Sequence, residues 1–86
     1  MILRHDVAQK LNDYRHHRLG LDDMVSWAES VMMEEDFDPR DFETIRDIVA
    51  RMGVADVRAF GMTWEDCEDF LRRLGYEIHL DVIPSR

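Results

Sequence analysis

The side chains suited to chemistry in this chain are four histidines, one cysteine and nineteen carboxylates. Metal binding, thiol chemistry and acid–base catalysis are therefore the reactions to weigh. His16 and His17 are adjacent, and neighbours on a helix diverge by about 100°, so the pair does not present one ligating face. The sequence has neither an HExxH zinc pattern nor a two-cysteine half-site. His5 and His79 meet only if the two ends of the chain come together. The run Asp36-Phe37-Asp38-Pro39-Arg40-Asp41 has a superficial calcium-loop look. It lacks the glycine at loop position six and the glutamate at position twelve. Neither a metal nor a cofactor is expected.

Cys67 stands among Glu65, Asp66, Glu68 and Asp69. Negative neighbours raise a thiol pKa, the opposite of what a nucleophile needs, and the local apolar register turns Cys67 inward. The four acids fall in the first turns of a helix, where the backbone dipole favours them without any catalytic role. The sequence has no glycine-rich phosphate loop, serine elbow or Cys-x-x-Cys. The expectation is a protein that is not an enzyme.

What remains is charge. Nineteen Asp and Glu against eleven Lys and Arg give a formal net charge of −8 on 86 residues. This balance disfavours nucleic acid, whose phosphates need clustered Lys and Arg. Arg4, Lys10, Arg15 and Arg18 are interrupted by Asp6 and Asp13. Seven acids lie between positions 34 and 47: Glu34, Glu35, Asp36, Asp38, Asp41, Glu43 and Asp47. Arg40 and Arg46 offset only part of them. Glu34, Glu35 and Asp36 fall at a helix C-terminus, where acids cost a few tenths of a kcal/mol each, on the order of the dipole effect. With Trp27 and Phe37 as apolar anchors, this segment is the candidate partner-binding surface, and its negative field suits a basic protein.

The elements that position these residues are helical. Residues 7–18 read as a first helix, capped by Asp6 with Gln9 and carrying Val7, Leu11 and Tyr14 inward. An alternative start lies upstream at Ile2. A second helix opens at Asp22 or Asp23, with Met24, Trp27, Ala28, Val31 and Met32 as its stripe. Asp38 as cap, Pro39 at the first helical position, Asp41 completing a box, and Phe37 with Phe42 as a hydrophobic staple define the start of a third. Ile45, Ile48, Val49 and Met52 continue it to Gly53. Residues 54–60 suggest a short fourth helix. Thr63 and Asp66 open a fifth, with Trp64, Cys67, Phe70, Leu71 and Leu74 inward, Gly75 as terminator and Tyr76 folding back over the last turn.

The tail changes period. Tyr76, Ile78, Leu80 and Val82 alternate with Glu77, His79 and Asp81 in a half-buried strand pattern. A lone strand leaves its edges open, so it pairs with the N-terminus, with the same strand of a second subunit, or with a partner's strand. Packing as an extended tail is the fourth alternative.

The fold expected is therefore mainly α: one small domain over residues 1–86, a compact bundle of four to five short helices with a C-terminal β-strand over residues 76–86. A lone cysteine, no signal-peptide pattern and no long apolar run point to the cytoplasm and away from a membrane. The expected function is a noncatalytic acidic interaction domain, an inhibitor or adaptor of a basic partner. In size and charge it is similar to bacterial inhibitors and immunity proteins of toxic nucleases, a likeness carried by no shared motif. The alternatives are a structural or regulatory homodimer joined through Tyr76, Ile78, Leu80 and Val82, and a small-molecule binding module.

Overall fold

The computed structural model describes residues 1–34, 36–58 and 61–76, with Glu34 through its backbone only. Four α-helices form a bundle: α1 (Arg4–Arg15), α2 (Leu21–Glu34), α3 (Phe42–Gly53) and α4 (Trp64–Arg73). A 3₁₀ turn over Pro39–Asp41 leads into α3. α2 packs chiefly on α3, and α1 on α4. None of the described helices is long and apolar enough to cross a membrane.

Helical spacing explains the core. On α3, Ile45, Ile48, Val49 and Met52 are fully buried and face Met24, Val25, Ala28 and Val31 of α2 in one apolar cluster. Val7 and Leu11 of α1 and Cys67, Phe70 and Leu71 of α4 complete it with Leu74. Two expected core residues fall elsewhere. Met32 is exposed, and Trp64 is about half exposed, with its ring against Tyr14 and His17. Val25 takes an inward position that the expected stripe had left out.

The helix starts follow the local chemistry, with corrections. α1 begins at Arg4 rather than Val7. The Asp6 carboxylate accepts the Leu3 N–H at 2.9 Å and so sits inside the first turn instead of capping it. At α4 the Thr63–Asp66 box is complete: Thr63 Oγ1 accepts the Asp66 N–H at 3.1 Å, and Asp66 accepts the Thr63 N–H at 3.0 Å. Before α3, Asp38 caps the 3₁₀ turn by accepting the Arg40 N–H at 3.1 Å. Asp41 does not close the expected box, because the Asp38 N–H is donated to the Ile2 carbonyl at 2.9 Å. The Phe37 and Phe42 rings do meet, with centroids 5.9 Å apart. The fourth helix expected over residues 54–60 is not α-helical among the described residues: 54–56 are turns, Val57 is a bend and Arg58 has 3₁₀ conformation, while Ala59 and Phe60 lie outside the described residues.

The expected C-terminal β-strand is also corrected: the fold is a four-helix α-bundle with no β-strand among the described residues. Tyr76, expected both to open that strand and to fold back over α4, does the second. Its N–H donates to the Leu71 carbonyl at 3.0 Å, and the Gly75 N–H donates to Arg72 at 2.9 Å. This is a Schellman ending with Gly75 at φ +92°, which glycine adopts without a Cβ penalty. Ile78, Leu80 and Val82 lie outside the described residues. The N-terminal segment named as their pairing partner is already occupied: Ile2 makes an isolated parallel bridge to Phe37, its N–H donating to the Asp36 carbonyl at 2.6 Å.

The two caps give stability an acid limb. Hydrogen bonds from the Arg40 backbone and side chain hold Asp38 below the usual carboxylate range, and the Thr63 N–H does the same for Asp66. Because both folded values are depressed, their stabilisation is complete above the unfolded carboxylate pKa and is lost as pH falls through the folded one. Asp38→Asn keeps an acceptor but does not titrate. In urea titrations at stepped pH, its stability should therefore fall less steeply below the ordinary carboxylate range than that of the unsubstituted chain. Identical slopes would remove Asp38 from the acid response.

Candidate functional site

The α2–α3 junction brings together part of the surface read from the sequence. An open groove of about 510 Å³ is lined by the apolar atoms of Met1, Met32, Phe37, Pro39 and Phe42, with Asp36 and Arg46 at its edge. Phe42 is 43% exposed and Met32 44%, so the groove presents apolar surface to solvent at a place where charged residues dominate the sequence. Neighbouring Met33, at 86%, is the most exposed of the large hydrophobic residues described. Arg46 lies over the Phe42 ring at 5.7 Å, within cation–π range. Met1, Met32, Pro39 and Phe42 were not among the binding residues read from the sequence. The staple pattern at Phe37 and Phe42 was the available signal, because a residue that packs on the outside of a turn keeps one face in water.

The acidic cluster is less uniform than its spacing suggests. Asp38 is buried, and both its oxygens face Arg40, whose Nε and Nη2 donate at 3.4 and 3.3 Å. Asp47 is shared between Arg46 at 3.4 Å and Arg73 of α4 at 3.8 Å. Asp41 is half-buried beside the turn, while Asp36 and Glu43 are exposed. The side chains of Glu34 and Glu35 lie outside the described residues. Asp36 and Glu43 are thus the described acids of this segment that face solvent without a basic neighbour in ion-pair range. Surface pairs such as those of Asp47 contribute little, of order 0–1 kcal/mol each, but they lower the local field.

The anchors separate. Phe37 is buried at 9%, and only its edge reaches the groove. Trp27 is half-buried against the core and stacks under Lys10 at 5.6 Å. It lines a different depression, with Met1, Ile2 and Lys10 among its neighbours. Met1 touches both grooves, so the two form adjacent parts of one face. Of the residues read as a dimer strand, Tyr76 is placed as the cap of α4, and the rest are undescribed.

The other chemical candidates resolve into packing. His17 lies edge-on to Trp64, with centroids 5.4 Å apart. His5 faces the Tyr76 hydroxyl at 3.4 Å, and His79 is outside the described residues. Among the described residues, no group of three or more His, Cys, Asp or Glu side chains is placed to hold a metal. Cys67 is fully buried. Burial first, and then the Asp66 carboxylate, push its thiol up to about 11.

Compared with family models, with curated proteins and with solved structures, the chain matches none. The functional reading therefore rests on its own geometry and charge.

The Cys67 environment makes a direct prediction. At pH 8 the folded protein should react with a thiol-specific disulfide reagent only at the rate at which it unfolds, and denaturant should release full reactivity. Rapid modification of the native protein would contradict both the burial and the raised pKa.

Proposed function

We propose that this chain is a noncatalytic interaction domain that binds a basic partner protein, as an inhibitor or adaptor, through the face around the α2–α3 turn. The observation that carries the reading is the exposed apolar groove of Met1, Met32, Pro39 and Phe42 in a chain of net charge −8. An apolar centre with a charged rim is the usual anatomy of a binding patch: the centre supplies affinity, and the rim sets approach and orientation. Asp36 and Glu43 supply the exposed negative rim, with Glu34 and Glu35 next to them in sequence. Arg46, at the groove's edge, lies over the Phe42 ring and is paired with Asp47, so it does not form an opposing charge patch.

The same groove could in principle receive a second copy of this chain. Charge disfavours it, because that pairing sets −8 against −8 and long-range repulsion slows and weakens it. The strand-mediated dimer loses its described anchor, since Tyr76 is committed to α4. A basic protein with an apolar projection has both complementarities.

The test compares three baits in lysate at low ionic strength, each eluted by a salt step: the unsubstituted chain, Asp36→Ser/Glu43→Ser and Met32→Ser/Phe42→Ser. All four positions are exposed, so the fold should be retained, as circular dichroism would verify. A basic protein held by the first, released by salt and lost from both variants is expected. The same protein held equally by all three would reject this face as the interface.

A further inference from the structure

A second groove, sharing no residue with the Met32–Phe42 groove, lies between α1 and the C-terminal end of α4. Its volume is about 250 Å³. Ala8 and Leu71, both buried, form the apolar floor. His5, Gln9 and Asn12 follow one another along a single stripe of α1, Arg15 continues it by one turn, and Tyr76 stands across from His5.

The composition of this groove is unlike the rest of the surface. Among the described residues none of its lining side chains is a carboxylate, although the chain carries nineteen. The four other grooves described each include an Asp or a Glu. Arg15 is the second oddity. Arg18, Arg40, Arg46, Arg51, Arg72 and Arg73 each lie within 4.0 Å of a carboxylate oxygen. Arg4 and Arg58 have no such pair but are exposed, whereas the Arg15 side chain is half-buried and makes no ion pair or hydrogen bond among the described residues. Partial burial of a cation without a counter-charge is unfavourable. Its place in the last turn of α1 gives some compensation from the helix dipole. The dipole explains where Arg15 falls along the helix, but not why the described lining beside it holds no acid.

We propose that the α1–α4 groove binds a small organic oxyanion, a carboxylate or phosphate group on a compact apolar body. The planar guanidinium of Arg15 takes the anion, its fork matching either group in two parallel hydrogen bonds. The Asn12 amide adds a neutral donor, and the body rests on Ala8 and Leu71. The Gln9 amide nitrogen is already donated to Asp13 at 3.1 Å, which leaves its oxygen for the ligand's polar edge. The volume falls just below the range of about 300–1,000 Å³ usual for ligand pockets, so the ligand is small.

The test is a pair of titrations of the full chain followed by nitrogen–proton NMR, one with benzoate and one with phenyl phosphate. Saturable shifts at the Asn12 side-chain amide, the Arg15 Nε–H and the Tyr76 backbone are expected in at least one arm. The arm that saturates at the lower concentration assigns the anion. Arg15→Gln should weaken that binding by about tenfold or more, the loss expected for a hydrogen-bonded charge, while leaving the other backbone signals in place. Arg18→Gln, one turn away and already paired with Asp13, should leave binding unchanged. Absence of saturation in both arms at tens of millimolar would overturn the proposal, and so would equal losses in the two arginine variants.

Discussion

Ile2 holds the rest of the structure in register. Its N–H and carbonyl are used by Asp36 and Asp38, and its side chain is buried beside Phe37. Through this single bridge the N-terminus is fixed to the α2–α3 turn, which sets where α1 begins and how it lies against the other helices. The bridge also occupies the Asp38 N–H, so the turn before α3 tightens to 3₁₀ and the Asp38 carboxylate turns to Arg40. In a core built from four short helices, one such tie matters more than its own energy, because ordering the terminus orders the groove that Met1 lines. Phe42 is left at the outer edge of the same turn.

Electrostatics then sorts the surface into unlike regions. Ion pairs across α3 and α4, Arg51 with Asp66 and Arg73 with Asp47, offset part of the acidic excess at the helix junction. Asp36 and Glu43 keep exposed negative charge beside the Met32–Phe42 groove. Between α1 and α4 the balance reverses, with a half-buried Arg15 in a groove that has no carboxylate among its described lining residues. The two sites proposed above therefore differ in charge although the chain as a whole carries −8.

Much of the helical framework was legible in the residues, for reasons that can be named. The 3.6-residue repeat of Ile45, Ile48, Val49 and Met52 and the Thr63–Asp66 box are local, and α3 and α4 follow from them. Gly75 likewise announced the end of α4. The start of α1 was misplaced because Asp6 satisfies a backbone donor from inside the helix as readily as from the cap. The box at Asp38 failed for a nonlocal reason: Ile2, thirty-six positions earlier, takes the N–H that Asp41 needed. The alternation at residues 76–82 suggested a strand; Tyr76 folds back on Leu71, as the Gly75 terminator implied, and the period of the tail carries no record of that hydrogen bond. The acidic cluster was visible by count, but which acids are neutralised depends on Arg40 and Arg73 arriving from particular directions. The Arg15 groove was not legible at all, since it is made by what α4 and Tyr76 place opposite α1.

Native-state hydrogen exchange at the Ile2 and Asp38 amides tests the central claim most directly, that the bridge to the N-terminus fixes the α2–α3 turn and with it the docking face. The account predicts that both amides exchange with an opening free energy matching that of Ile48 and Val49 in the α3 core, as members of one cooperative unit. Exchange at Ile2 and Asp38 orders of magnitude faster than at Ile48 and Val49 would show that the terminus opens independently, and would contradict it.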